Sequence, residues 1–224
     1  LVLASDVTLN MIVEAIVAAG GPRYAWVVID PVAENANGGE SNGNIRNAIL
    51  YNPERVDFIE GSLRQVSDTT PADGDGFRNS RKPLVADFMF HGEEVTFVGV
   101  HNYSRLGSDE LFGQNQPPFI SGDPRRTDQN TAIRDFVRAE MAANANSNIV
   151  VAGDFNGTAG PDELQKAGFT WLTREVHNTF GVFDFDHILV RGLCASAAPP
   201  AGKAIDATHA SDHVPVWATV KSCD

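Results

Sequence analysis

Polar residues able to carry acid–base and metal chemistry lie at the ends of apolar segments of this chain. They are His101 after one apolar run, Asp154 and Asn156 after a second, Asp186 at the start of a third, and Asp212 and His213 at the start of a fourth. Strand ends hold functional groups rigidly while leaving them at the surface. Three acids, an amide and two histidines in such positions predict one functional site.

This set of residue types suits a divalent cation and a phosphate ester. Mg²⁺ prefers carboxylate oxygens as ligands. A histidine that is oriented by a carboxylate can act as a general base on water. Histidine and asparagine side chains can donate hydrogen bonds to phosphoryl oxygens and so stabilise the charge of the transition state.

Each residue taken singly also has an ordinary structural interpretation. Asp154 and Asn156 can form a tight turn, because their side chains bond their own backbone. His101 can be a buried histidine with a satisfied hydrogen bond, Asp212 and His213 can start a strand, and Asp186 can be a surface acid. The combination favours the catalytic interpretation. His91, His177 and His209 lie in loop or turn contexts, and no role is assigned to them.

Hydrophobic periodicity predicts the elements that position these residues. Leu9, Ile12, Val13, Ile16 and Val17 follow the spacing of one buried helical face, which predicts a helix over 6–20. Further helices are predicted over 127–143 and 161–167, and strands over 24–29, 48–51, 56–59, 84–90, 95–101, 148–152, 185–190 and 214–220. Strands outnumber helices and often follow one another as hairpins, which favours a mixed or antiparallel sheet with outer helices.

Length and composition exclude several classes of protein. A chain of 224 residues with 42% hydrophobic and 21% charged residues fits one domain and excludes intrinsic disorder, collagen and simple coiled coils. The net charge of −12 disfavours a nucleic-acid binder that works by charge alone. An acidic protein can still act on phosphates if bound cations reverse the local field. No apolar run is long enough to predict a membrane span.

Several motifs resemble the endonuclease/exonuclease/phosphatase superfamily, and the resemblance covers nearly the whole chain. The motifs are Gly153-Asp154-Phe155-Asn156, then Asp186-His187-Ile188-Leu189-Val190, then Ser211-Asp212-His213. Segments 43–56, 80–84 and 113–118 resemble the bacterial secreted-nuclease branch. The resemblance implies an α/β (α+β) four-layer α/β/β/α sandwich of two mixed, largely antiparallel sheets with outer helices. It also implies metal-dependent hydrolysis of phosphodiesters, with Mg²⁺, Mn²⁺ or Ca²⁺ as cofactor and DNA or RNA as substrate.

The same resemblance implies a role for each residue. His213 matches the general base, Asp186 the acid that orients it, Asp154 an acid that positions the nucleophile and helps to hold the metal, Asn156 and His101 the groups that contact the phosphate, and Asp212 a metal-binding acid. Arg46 is a further candidate phosphate contact, although a salt bridge is the favoured interpretation. The alternatives are a phosphatase or phosphodiesterase of the same superfamily, and a non-catalytic subunit.

The family places two strands and a metal-ligand Glu before its first helix. No such Glu precedes the helix that starts near Asp6, and Glu14 lies inside that helix. We therefore expect residues 1–224 to form a single domain that is incomplete at its N-terminus. An upstream segment or a companion chain would supply the missing strands and ligand; otherwise this copy is inactive. Without that partner, the strands around Val150 and Val214 are expected to have unpaired edges.

Two cysteines, Cys194 and Cys223, each follow an apolar, strand-like run. Their number alone leaves a disulfide and two ordinary thiols equally open. In the family, the strands that precede them lie in the same region of a sheet. The resemblance therefore implies a bond between them, and with it a secreted, extracellular protein of bacterial type.

Overall fold

The computed structural model describes residues 6–33, 36, 43–67, 75–196, 201–205 and 211–223. His209 and parts of the predicted loops at 31–44 and 68–82 lie outside these residues. The described helices are α1 (Asp6–Ala18), α2 (Asp123–Ala143) and α3 (Ala159–Lys166). The described strands are β1 (Ala25–Val28), β2 (Ala48–Tyr51), β3 (Asp57–Phe58), β4 (Arg64–Gln65), β5 (Leu84–Phe90), β6 (Glu93–His101), β7 (Asn148–Asp154), β8 (Thr170–Trp171), β9 (Asp186–Arg191), β10 (Leu193–Ala195), β11 (Ala201–Lys203), β12 (Val216–Ala218) and β13 (Val220–Ser222).

A seven-stranded sheet forms the centre of the fold. Its strand order is β3-β5-β6-β7-β9-β8, and β4 also pairs with β5. Strands β6 and β7 are parallel, whereas the other neighbours in this sheet are antiparallel. Since a parallel pair cannot be joined by a tight turn, α2 lies in the connection between β6 and β7. The predicted mixed, largely antiparallel α/β fold is confirmed.

The central sheet is covered on both faces, and alternate side chains of β5 point to the two sides. Val85 packs into a core with Ile133 of α2 and Leu164 of α3. Its neighbours Leu84 and Ala86 face the opposite way and pack against β1 and β2, which form a small antiparallel sheet. Successive residues of a strand point to opposite faces, so each short apolar segment contributes to two cores. Helices therefore cover one face of the central sheet, and β1 and β2 cover part of the other.

The strand around Val150 does not have the expected unpaired edge. Strand β7, which contains Val150, is hydrogen-bonded to β6 on one side and to β9 on the other. The predicted strand over 214–220 is two short strands instead: β12 pairs with β11, and β13 pairs with β10. For β7 the expectation was wrong, because β6 and β9 pair with its two edges, whereas β12 and β13 each have one paired neighbour among the described strands. Whether an upstream segment or companion chain adds further strands stays a prediction.

The second helix begins four residues before its predicted start. Gly122 adopts a left-handed conformation with φ of 68°, and Pro124 lies in the first turn of α2. Proline is tolerated there because the first amide groups of a helix have no partner within the helix. The helix predicted over 127–143 therefore omits the first turn, which contains Pro124.

A disulfide joins Cys194 to Cys223, as predicted. Cys194 lies in β10 and Cys223 directly follows β13, and the two strands pair with Leu193 opposite Ser222. The Cα atoms of the cysteines are 5.1 Å apart. The bond therefore fixes the end of the chain to the strand that follows the central sheet.

The described helices include none with the length and apolar character needed to cross a bilayer.

Removing this disulfide should destabilise the fold. The bond closes a separation of 29 residues, for which loop-closure entropy gives a loss of about 3–4 kcal/mol in the free energy of unfolding. We expect this loss in urea titrations of the double variant Cys194→Ser, Cys223→Ser, and in the wild-type protein treated with dithiothreitol. A wild-type midpoint that does not respond to the reductant would contradict the prediction.

A buried histidine should make stability depend on pH. His187 is only 1% exposed, between the rings of Phe155 and Trp171, and its Nε2 donates to the carbonyl oxygen of Asp184 at 3.0 Å. Burial lowers the pKa of His187. The unfolded chain, with a histidine pKa near ~6.5, therefore takes up this proton more readily, and the free energy of unfolding falls as the pH drops below about 6.5.

The variant His187→Gln tests this dependence. The wild-type protein should lose more of its free energy of unfolding between pH 7.5 and pH 5.0 than the variant, because the variant has no imidazole to protonate at this position. Urea titrations at the two pH values measure both losses. Equal losses in the two proteins would show that His187 does not contribute.

Candidate active site

A cavity of about 710 Å³ opens at the end of the central sheet where β6 and β7 finish. Its walls include five of the residues singled out in the sequence, namely His101, Asp154, Asn156, Asp212 and His213. Asp186 is bonded to one of them, His213. The structure thus brings together six of the seven predicted site residues.

Strand register places three of these residues in one row across the sheet. His101 is the last residue of β6 and pairs with Asp154, the last residue of β7. Asp154 in turn pairs with Asp186, the first residue of β9. The row explains why residues more than thirty positions apart in sequence lie next to one another.

Gly153 allows β6 and β7 to come close at this end of the sheet. Its φ is +138°, and a Cβ atom added to it would collide with the carbonyl oxygen of Val100. Residues with side chains rarely adopt this backbone conformation. Glycine at position 153 is therefore needed to set His101 beside Asp154.

His213 and Asp186 form a hydrogen-bonded pair. The Nδ1 atom of His213 is 2.8 Å from Oδ2 of Asp186, so Nδ1 carries the proton and donates it. The other nitrogen, Nε2, is 3.9 Å from Oδ2 of Asp154. Burial alone would lower the pKa of His213, but the hydrogen bond and the charge of Asp186 outweigh it, so the pKa is raised. An imidazole held in this way presents Nε2 to the cavity as a base.

The carboxylate of Asp154 contacts both Asn156 and His101. Its Oδ1 accepts the backbone N–H of Asn156 at 2.7 Å, and its Oδ2 accepts the Asn156 amide at 3.1 Å. Nε2 of His101 lies 3.5 Å from the same Oδ2. Burial, followed by the negative charge of Asp186, raises the pKa of Asp154 to about 6. Burial, with the charge of Arg81 and of His213, lowers the pKa of His101 to about 4, so this imidazole is neutral at pH 7.

Arg81 and Asn102, to which the sequence assigned no catalytic role, bond to the residues that form the site. Arg81, 4% exposed, donates to the carbonyl oxygen of Asn102. The same oxygen accepts the Asn156 amide at 3.1 Å, and the N–H of Asn102 donates to the carbonyl oxygen of Asp154 at 2.8 Å. The position of Asn102 directly after His101 could have indicated its role in the sequence. Arg81 could not be found in this way, because no spacing rule links it to Asp154.

Arg46 has the structural role that the sequence favoured. Its Nη1 atom is 3.0 Å from Oδ1 of Asp30. Arg46 is absent from the described residues that line the cavity. Its contact with a phosphate is therefore unsupported by this geometry.

The cavity offers two of the predicted carboxylate ligands for a divalent cation. Asp154 and Asp212 both line the cavity, and Mg²⁺ is commonly held by one or two carboxylates together with waters and substrate phosphates. Within the part of the chain that the structure describes, no group of three or more His, Cys, Asp or Glu side chains is arranged to hold a metal ion. The residues present therefore fit part of a magnesium coordination shell.

Solved structures with this fold come from bacteria and animals. A functionally unknown conserved protein from Enterococcus faecalis V583 is 18% identical, with a TM-score of 0.58 over 94% of this chain and 81% of its own. A humanized D. rerio TDP2 with 14 mutations is 15% identical, with a TM-score of 0.59 over 96% of this chain and 82% of its own. An endonuclease/exonuclease/phosphatase from Bacteroides vulgatus is 12% identical, with a TM-score of 0.58 over 95% and 89%.

No curated protein matches the chain in sequence. The model of the Endonuclease/Exonuclease/phosphatase family matches residues 6–213. This range contains the row of His101, Asp154 and Asp186 and ends at His213, the partner of Asp186. The chain therefore belongs to the endonuclease/exonuclease/phosphatase family.

Proposed function

We propose that this protein is a metal-dependent phosphodiester hydrolase that acts as a secreted nuclease on DNA or RNA. The observation that carries the proposal is the His213–Asp186 pair, whose free Nε2 faces Asp154 in an open cavity. Family membership supports hydrolysis of phosphate esters. The sequence segments that resemble the secreted-nuclease branch favour nucleic acid as the substrate.

In the proposed mechanism, His213 takes a proton from the attacking water. Asp186 keeps the proton on Nδ1, so Nε2 is the basic nitrogen, and its charge stabilises the imidazolium that forms. Asp154 lies on the cavity side of Nε2 and orients the water. The sheet holds Asp154 and Asp186 in place, and His213 is held by its bond to Asp186 and its bridge to Phe180. This arrangement lowers the entropic cost of reaching the reactive geometry.

Asn156 and His101 are the proposed phosphate contacts. In the structure, both hydrogens of the Asn156 amide have acceptors, Asn102 and Asp154. Asn156 therefore orients Asp154 here, and it must give up one of these bonds to donate to a phosphate oxygen. His101, neutral at pH 7, can donate from one ring nitrogen without carrying a charge.

Asp154 and Asp212 are the proposed ligands of a divalent cation, Mg²⁺ or else Mn²⁺ or Ca²⁺. When bound, the cation would supply positive charge to the phosphoryl oxygens. Asp109 and Glu110 also line the cavity, and a bound cation would offset their negative charge. We propose that a further carboxylate comes from an upstream segment or a companion chain. The disulfide supports an oxidising, extracytoplasmic location.

Replacing His213 tests the function. Together with the upstream segment or companion chain, the wild-type protein should cut plasmid DNA or RNA with Mg²⁺, Mn²⁺ or Ca²⁺ and not with EDTA. His213→Ala should lower turnover by roughly 10²–10⁴, as expected for a lost general base.

His177→Ala is the matched control, because Nδ1 of His177 makes the same 2.8 Å contact with a carboxylate, Asp184. His177 is not among the described residues that line the cavity, and its removal should leave turnover unchanged. Lack of hydrolysis with all three metals, by protein shown by mass spectrometry to include the upstream segment or companion chain, would overturn the proposal and favour the non-catalytic subunit.

Replacing Gly153 tests the strand geometry. Gly153→Ala should force β6 and β7 apart beside His101 and Asp154, with a loss of about 1–3 kcal/mol in the free energy of unfolding and reduced turnover. Gly99→Ala is the control in the adjacent strand, where an added Cβ atom would meet only ordinary contacts at 3.7 and 3.8 Å. Thermal unfolding and a cleavage assay measure both effects. Equal behaviour of the two variants would contradict the proposed role of Gly153.

A further inference from the structure

The cavity has an aromatic wall that the hydrolytic mechanism does not use. The rings of Phe180 and Phe183 each stack on Phe185, with centroid distances of 5.5 and 5.2 Å and an interplanar angle of 13° in both pairs. Phe185 is buried, whereas Phe180 and Phe183 are half-buried and line the cavity. We call these three residues the aromatic platform.

The backbone fixes the platform relative to the proposed base. The N–H groups of Thr179 and Phe180 donate to the carbonyl oxygen of Phe183, and the N–H of Phe183 donates to the carbonyl oxygen of Phe180. Phe180 also forms an isolated β-bridge with His213, and the two rings are 4.7 Å apart. A group stacked on the platform would therefore lie directly beside the reacting phosphate.

The guanidinium group of Arg105 lies over the platform. The Cζ atom of Arg105 is 5.7 Å from the ring centroids of Phe183 and of Phe185. Arg105 lines the cavity and, within the described part of the chain, forms no ion pair. Its positive charge is thus available to a phosphate, and the neighbouring rings are available to a flat, apolar group.

We propose that the aromatic platform stacks an unpaired nucleobase next to the scissile phosphate, while Arg105 contacts a neighbouring phosphate. This inference rests on the proposed nuclease function and specifies its substrate as nucleic acid with unpaired bases. In a duplex, both faces of each base are covered by its neighbours, so only single strands, loops and ends can present a free face. Stacking needs no positive charge, which suits a protein with a net charge of −12.

Binding measured in EDTA separates stacking from catalysis. Fluorescence anisotropy would compare a labelled single-stranded 12-mer of mixed sequence, the same backbone built from abasic nucleotides, and the 12-mer duplex. We expect the base-bearing single strand to bind tighter than the other two by roughly tenfold or more, since one base–aromatic stack contributes about this much.

Variants assign this preference to individual groups. The double variant Phe180→Leu, Phe183→Leu keeps apolar volume but removes the flat rings, and it should bind the base-bearing and abasic strands equally. Phe183→Tyr should keep the preference. Phe90→Leu is the control, because Phe90 is another half-buried phenylalanine at the opposite end of β5 and β6. Arg105→Gln should weaken binding of both strands by a similar factor, as a phosphate contact does.

Different experimental results would overturn the aromatic platform and the proposed nuclease function. Equal binding of abasic and base-bearing strands by the wild-type protein, or an unchanged preference in the double variant, would overturn the platform. If the protein still cleaves DNA or RNA in that case, the nuclease proposal stands. Base-dependent binding without hydrolysis in Mg²⁺, Mn²⁺ or Ca²⁺, with the upstream segment or companion chain present, would instead retain the platform and overturn the nuclease proposal.

Discussion

The close approach of β6 and β7 at Gly153 is the constraint on which the site depends. A parallel pair fixes the last residue of one strand beside the last residue of the other, and here those residues are His101 and Asp154. The antiparallel pairing of β9 then adds Asp186 to the row, and Asp186 determines the orientation of His213. One glycine thus controls the relative positions of four polar side chains, because any side chain at position 153 would collide with Val100.

The row also creates an electrostatic difficulty, since it places two carboxylates side by side. Asp154 has little solvent to stabilise its charge, and the charge of Asp186 opposes its ionisation. The N–H of Asn156 and the positive charge of Arg81 partly offset these effects. A buried guanidinium under the site therefore compensates for charge crowding that the strand register imposes. A cation on the open side would do the same from the direction of the substrate.

Local sequence pattern was sufficient to predict the strands that carry the site, because β6, β7 and β9 are apolar runs with a polar residue at the site end, namely His101, Asp154 and Asp186. The family motifs were sufficient to predict that His213 and Asp186 would meet. Pattern alone could not show that β7 is paired on both sides or that the segment 214–220 is split, since these depend on contacts between distant parts of the chain. Arg81 was missed for the same reason: its relation to Asp154 runs through Asn102 and is invisible as a spacing.

The disulfide has a consequence for the proposed base, because His213 lies in the segment that the bond closes, between Cys194 and Cys223. Tying both ends of this segment to paired strands raises the effective concentration of the imidazole at the edge of the sheet. Without the bond, the same imidazole would be held by its contacts with Asp186 and Phe180 and by the pairing of β12 and β13. Oxidation of the two cysteines thus couples folding of this segment to preorganisation of the proposed base.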